Sequence, residues 1–326
     1  MEENKAHENR YEPLCGECRG QECRSVRPLF RGVLITALGG ICWGSNGTLI
    51  QYLYSRYEIS GSTLTCVRAV FGGLLLLLLG TLKGDPGVAG VPRDRENRIV
   101  LFLYATFGLA FTQFAYTASI RASNAGTATV LQNLSMVFTL ILSCILAHRL
   151  PDRTERICVV LALVGGFLVA TEGSFSSLAI SPAGLFWGIM NAAAVTGYTM
   201  LPGKLLKRWS PLSVLGWGML IGGVVLCALF RPWEEFRRTG LPAGELLILA
   251  MIVVVGISGY ALFTWGVSLV GPVCAGMVAT TEPLTAAILA AVLLHTLFSV
   301  PTLAGFACIL LTVFLLSRSG GSGAEA

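Results

Sequence analysis

The chain reads as one block of five apolar stretches written twice, and that duplication limits its possible folds more than any other feature. Stretches of roughly 18 to 25 predominantly apolar residues are long enough to cross a bilayer as helices. Ten are present, at 31–53, 61–82, 98–119, 124–147, 155–172, 182–203, 212–230, 243–266, 272–295 and 300–317. Five is an odd number, so a repeated five-span block re-enters the membrane upside down, and its two copies face each other about a pseudo-twofold axis in the bilayer plane. No stretch alternates in hydrophobicity as a membrane β-strand does. The expected fold class is therefore an all-α polytopic membrane protein, with ten transmembrane helices in two inverted five-helix repeats. Its divisions are a polar tail at 1–30, a first repeat at 31–172, a second at 182–318 and a flexible Gly- and Ser-rich tail at 319–326.

Composition agrees. Of 326 residues, 54% are hydrophobic and only 13% charged, with a mean hydropathy of +0.72, which excludes an ordinary soluble domain. The first 30 residues mix acidic and basic groups and the first apolar run is long enough to span, so no cleaved signal peptide is expected. Most of the 23 Lys and Arg residues fall in the amino-terminal tail, at 83–98, at 149–156, at 204–208 and at Arg318, all on one side if ten spans alternate. Arg56, Arg121, Arg231, Arg237 and Arg238 lie opposite. The positive-inside rule then puts both termini in the cytoplasm of a cell-membrane protein, with the basic segment Arg231–Arg238 as the dissonant external loop. The net charge of +5 suits anionic lipid headgroups and calls for no nucleic-acid partner.

Metal and cofactor chemistry find little support. Seven of ten cysteines sit inside apolar spans, where Cys behaves as a small hydrophobe. Cys15, Cys18 and Cys23 share the amino-terminal tail, but a fourth ligand is missing and cytoplasmic thiols stay reduced. His148 and His295 fall at opposite ends of inverted halves, a membrane thickness apart, so no shared metal site is expected. There is no phosphate-cradling Walker loop, and hence no direct ATP drive. No metal, no cofactor and no catalytic residue are expected; the chain is not expected to be an enzyme.

The internal match is clearest around the fourth and ninth spans, where adding 147 maps Thr117 onto Thr264, Ala128 onto Ala275, Ile141 onto Ile288 and His148 onto His295. Near the middle of spans one and six, Trp43-Gly44 and Trp187-Gly188 match at an offset of 144. These Trp-Gly pairs, with Arg68 early in the second span, Glu282-Pro283 in the ninth and ten spans in two halves, resemble the EamA family of the drug/metabolite transporter superfamily. The resemblance covers about residues 31–318. It implies an inverted-repeat transporter with a central cavity that moves amino acids, amines, carboxylates or other small metabolites, often outward. The chain departs from the family pattern where members carry Pro in the fourth span, here Met136, and Gly-Glu after it, here His148-Arg149. The fourth span is thus expected to be less broken than the ninth.

Arg68 and Glu282 are the ionisable residues other than His that lie well inside spans. A charge at the bilayer centre costs on the order of 3 kcal/mol on insertion scales, so each should face a cavity or a partner. Pro283 removes an N–H and favours a helix break beside Glu282. A carboxyl there fits a proton or cation site, or a buried structural group. Arg68 either binds an anionic group, snorkels outward, or pairs with Glu282 as a gate. Candidate lining residues for a mid-membrane cavity are Trp43 and Asn46, Gln113 and Tyr116, and Asn133 in the first half. The second half supplies Trp187, Asn191, Tyr198 and Trp265. Gln132, Ser135, Thr280 and Thr281 are weaker candidates.

The expected function is a secondary active transporter of a small metabolite, of the amino acid, amine or carboxylate class, exporting it by alternating access with proton coupling through Glu282. Its partners are the small-molecule substrate, protons and the lipid bilayer, with oligomeric state left open. An uncoupled facilitator or exchanger, in which Glu282 pairs with Arg68, is one alternative. A membrane-embedded lipid-handling protein or enzyme is another, although it would need more ionisable groups within the spans.

Overall fold

A computed structural model describes residues 26–146, 148–171, 180–239, 242–270, 275, 278–279 and 281–319. The described residues form helices and no strands. The first half contains α1 (Val26–Arg56), α2 (Gly61–Leu82), α3 (Arg98–Leu103) running through a π-helical turn at Tyr104–Ala110 into α4 (Phe111–Ala122), α5 (Ala125–Gln132), α6 (Ser135–Leu146) and α7 (Arg153–Thr171). The second contains α8 (Pro182–Met200), α9 (Pro211–Phe230), the short α10 (Pro232–Thr239), α11 (Ala243–Val270), α12 (Thr281–Leu294) and α13 (Val300–Ser319). Cys15, Cys18, Cys23 and Thr280 lie outside the described residues.

The fold class is as expected, but the count of ten spanning helices is not exact. Among the described residues six helical passages are long and apolar enough to cross a membrane on their own, while Thr281–Leu294 and Val300–Thr312 are shorter apolar helices. The fourth span is also broken, although it has no proline. After Gln132 the bonding tightens to i→i−3, with the Asn133 and Leu134 N–H groups donating to the carbonyls of Val130 and Leu131 at 3.1 and 3.0 Å. The Asn133 side chain bonds back to the Thr129 carbonyl at 2.9 Å. A polar side chain competing with the backbone thus breaks the helix in the span that the sequence suggested would be the less broken of the two.

Start and stop signals are local. Ser60, Asn124, Ser181 and Ser210 each accept a hydrogen bond from the backbone three residues on, capping α2, α5, α8 and α9. Pro182 and Pro211 occupy the first helical positions behind two of these caps. The repeated histidines are helix stops: His148 and His295 both adopt left-handed backbone, φ 49° and 51°, where Asn, Asp and His are the tolerated non-glycine residues. They end α6 and α12.

Packing exchanges the halves. α1 lies against α11 and α12, α8 against α4, α5 and α6, α2 against α9, and α7 against α13. Glycines set the closest approaches: a Cβ on Gly73 would stand 2.6 Å from the Leu220 nitrogen, and one on Gly305 would stand 2.7 Å from the Gly165 carbonyl. Outer faces carry exposed Phe71, Leu74 and Leu78 on α2 and Ile157, Val160 and Leu163 on α7. Apolar surface of that extent belongs in lipid. The protein is an all-helical, multi-pass membrane protein.

The antiparallel α2–α9 pair is tied at both ends by matching clamps. Asp85, after α2, accepts hydrogen bonds from the hydroxyls of Ser210 and Ser213 at the start of α9, the latter at 2.6 Å. Glu235, on α10 after α9, accepts from the Ser60 N–H at 2.7 Å and from the hydroxyls of Ser60 and Thr63 at the start of α2. Adding 150 maps Ser60, Thr63 and Asp85 onto Ser210, Ser213 and Glu235. The dissonant basic segment thus builds the second-half clamp. Burial pushes both carboxyls up, but hydrogen bonds from the capped helix outweigh it and hold each below its ordinary range. Depressed folded values mean that the stabilisation is complete above the ordinary carboxylate values, about 4, and is lost as pH falls through the folded values. Asp85→Asn and Glu235→Gln should each cost about 1 kcal/mol, additively because the clamps lie at opposite ends. Thermal unfolding in detergent should show the wild type losing more stability than the double variant as pH is lowered from 6 towards 3.

Candidate functional site

Two glycines on α1 place the acidic end of α12. A Cβ at Gly40 would stand 3.2 Å from the Glu282 nitrogen, and one at Gly44 would stand 2.5 Å from the Glu282 carbonyl oxygen. The Glu282 N–H bonds to the Ala279 carbonyl at 3.0 Å, and α12 starts at Thr281. Glu282 and Pro283 therefore fall in the first turn, where proline's missing N–H leaves no gap in the helical ladder and a carboxylate faces the positive end of the helix dipole.

One turn further along α1, Trp43 and Asn46 are fixed by glycines on α11. Trp43 lies over Gly259, whose added Cβ would meet its ring at 2.5 Å. It packs edge-on to Tyr260 at 5.0 Å and against Phe263 at 5.1 Å. The Asn46 amide nitrogen donates to the Ile252 carbonyl, which turns its oxygen towards α2. There it accepts from Arg68 Nη2 at 3.4 Å. Arg68 is thereby drawn inward instead of snorkelling.

These residues line two neighbouring chambers that share Trp43, Tyr198 and Tyr260 in their walls. The inner one, about 160 Å³, is bounded by Trp43, Asn46, Arg68, Thr112, Gln113, Tyr116, Gln132, Val195, Tyr198, Gly256, Tyr260 and Glu282. The outer one, about 260 Å³, shares Trp43, Tyr198 and Tyr260 and is otherwise mostly apolar, with Leu76, Tyr104, Phe263 and the Pro202–Pro211 connection in its wall. Tyr104 and Tyr198 stack there with centroids 6.2 Å apart. Both halves of the chain contribute to both chambers.

Arg68 and Glu282 face the same inner chamber, yet they form no ion pair among the described residues. Three phenols, Tyr116, Tyr198 and Tyr260, line the chamber with them. Tyr116 is held by a 2.9 Å bond to the Thr129 hydroxyl.

Of the candidates named from sequence, Trp43, Asn46, Arg68, Gln113, Tyr116, Tyr198 and Glu282 come together, joined by Gln132. Asn191 stands behind them, fully buried, donating to Gln132 Oε1 at 3.0 Å. Pro283 is buried behind Glu282. The other candidates lie elsewhere. Asn133 caps the broken end of α5, Trp187 packs edge-on to Phe114 at 5.4 Å, and Trp265 is 47% exposed with the Arg31 guanidinium 5.8 Å from its ring. Ser135 is buried with its carbonyl bonded to Thr196, and Thr281 reaches the Ala37 carbonyl. Tyr260, Thr112, Val195 and Gly256 were not singled out by sequence. For Tyr260 the signal existed, since adding 147 to Gln113 gives 260.

With this geometry in hand, the comparisons are decisive for family. A family profile described as the EamA-like transporter family matches residues 30–171 and again residues 182–318. The chain belongs to the EamA-like transporter family. It is 31% identical over 297 residues to the "Uncharacterized inner membrane transporter YicL" of Salmonella typhimurium, covering 91% of this chain and 98% of that one. An "Uncharacterized transporter" of Archaeoglobus fulgidus is 23% identical over 87% of this chain and 97% of its own length. "Uncharacterized transporter YwfM" of Bacillus subtilis is also 23% identical, over 88% and 93%. A crystal structure superposes with a TM-score of 0.59 over 90% of this chain and 99% of the other at 17% identity, a likeness of fold alone. EamA-like membership makes this a membrane transporter and points away from an enzyme.

The EamA-like site depends on close backbone approach. Gly44→Ala should cost about 1 to 3 kcal/mol by overpacking, because its Cβ would meet backbone 2.5 Å away. Gly203→Ala, with nothing within 4 Å of its Cβ, is the control that should melt as the wild type does.

Proposed function

We propose that the protein is a secondary active transporter that exports a small metabolite of the amino acid, amine or carboxylate class by alternating access, coupled to protons through Glu282. One observation carries this reading: Arg68 and Glu282 face one polar chamber at the meeting of the two halves without neutralising each other. A carboxyl without an ion-pair partner among the described residues, at the start of α12, is suited to taking and releasing a proton as its surroundings change, while the guanidinium offers a fixed charge for a ligand.

Charge bias supports both termini being cytoplasmic. On that orientation the Pro202–Pro211 connection in the wall of the outer chamber is cytoplasmic, the loading side of an exporter. The second reading, an uncoupled facilitator, requires Glu282 to pair with Arg68, and the two form no ion pair among the described residues.

The substrate is sought by comparing metabolites inside and outside cells with and without the protein; export predicts one compound depleted inside and enriched outside. In liposomes loaded with that compound, Glu282→Gln should abolish flux driven by a pH gradient while exchange of labelled for unlabelled substrate continues. Gradient-driven flux unchanged in that variant would refute the coupling.

A further inference from the structure

α2 and α9 run antiparallel with their backbones in contact. A Cβ on Gly73 would stand 2.6 Å from the Leu220 nitrogen, one on Gly223 would stand 2.8 Å from the Val70 nitrogen, and one on Gly216 would stand 3.0 Å from the Leu77 side chain. In each facing pair the two residue numbers add to 293, the mark of one constant register. Val70, Gly73 and Leu77 recur at three- and four-residue spacing on one face of α2, and Gly216, Leu220 and Gly223 do so on α9. One turn beyond Val70 and Gly223, the same register sets Cys66 opposite Cys227. Cys66 is buried, and Cys227 packs against the cluster that contains it. The two thiols are close enough to share a hydrogen bond. Both are free cysteines.

We propose that Cys66 and Cys227 are a modification site: oxidation joins them in a disulfide that staples the first half of the chain to the second. A disulfide needs Cα atoms about 4.4 to 6.8 Å apart, and helices held in backbone contact by glycine suit that spacing at facing positions next to the contact. Cys66 lies five residues from the Gly61 end of α2, about 7.5 Å, and Cys227 three residues from the Phe230 end of α9, about 4.5 Å. Both thiols therefore sit near one membrane surface, at the end closed by the Glu235 clamp. On the orientation proposed above that surface is external, where disulfides form and persist. The oxidant, by class, is an external disulfide, small or protein-borne. Cys227, half-buried where Cys66 is 1% exposed, attacks it as the thiolate, taking one sulfur and releasing the first thiol. Cys66 then attacks the Cys227 sulfur and expels the second. Two protein thiols are oxidised, one external disulfide is reduced to two thiols, and the two protons pass to these. The bond closes a loop of about 160 residues in the unfolded chain, which stabilises the fold.

The test treats the detergent-purified full chain with dipyridyl disulfide, then alkylates the remaining thiols, digests the protein and maps its peptides by mass spectrometry. The folded wild type should yield a peptide pair joined through Cys66 and Cys227, and dithiothreitol should separate it. Oxidation should raise the melting temperature of the wild type by at least about 5 °C, and should leave that of Cys66→Ala and of Cys227→Ala where it was. The peptide map needs no variant, so a substitution that harms folding cannot hide the result. Cys66 and Cys227 both alkylated after the oxidant would overturn the proposal. So would a mixed disulfide on Cys227 that Cys66 does not resolve, a bond from either cysteine to a different one, or a rise in melting temperature of equal size in Cys66→Ala. No readout here involves transport, so failure of the transport function leaves the cross-link intact, and the reverse holds as well.

Discussion

The arrangement of the bundle follows from the cost of holding two ionisable side chains at membrane depth. Neither Arg68 nor Glu282 can be left in hydrocarbon, so each requires a polar enclosure, and one enclosure serves both. The glycines of α1 are the means: Gly40 and Gly44 admit the start of α12 with its carboxyl, while Gly256 and Gly259 on α11 admit Asn46 and Trp43. Larger side chains at these positions would hold the helices apart and close the sharing of one chamber. The site is therefore a product of small residues as much as of charged ones.

Pseudo-symmetry supplies the frame and is broken where chemistry is needed. The clamps formed by Asp85 and Glu235 are near copies at an offset of 150, and His148 and His295 end equivalent helices in the same left-handed conformation. The fourth and ninth spans are both interrupted near the cavity, but the first half reaches this through Asn133 and the second at the Glu282-Pro283 turn. Equivalent geometry from unequal residues leaves the carboxyl on one side only. That inequality is what an inverted scaffold needs if a directed site is to sit on its axis.

Much of this was legible in the chain. Spans are fixed by hydrophobic length, and apart from the fourth and ninth stretches the described helices begin and end within a few residues of the apolar stretches. Arg68 and Glu282 could be found because charge in an apolar run is rare and costly. Trp43, Asn46, Tyr116 and Tyr198 could be found as polar or aromatic groups at mid-span. The direction each side chain faces was not legible. Asn133 and Asn191 carry the same amide, yet one caps a helix end and the other holds Gln132 from behind. Trp187 and Trp265 turn away from the cavity because their helices present other faces to it. Rotation about a helix axis is set by neighbours such as Gly259 and Phe114, which are distant in sequence, so composition alone could not assign it. The clamps escaped notice for a related reason: a carboxylate at a span end is common, and only its partner on another helix makes it structural.

The account depends most on Arg68 and Glu282 sharing a chamber without being partners, and a double-mutant cycle on stability measures that directly. Arg68→Gln, Glu282→Gln and the double variant would be compared with the wild type by reversible unfolding in detergent. Independent groups predict single effects that add to within about 0.5 kcal/mol. A coupling of several kcal/mol, with the double variant recovering stability that either single change loses, is the signature of a buried ion pair and would contradict the account.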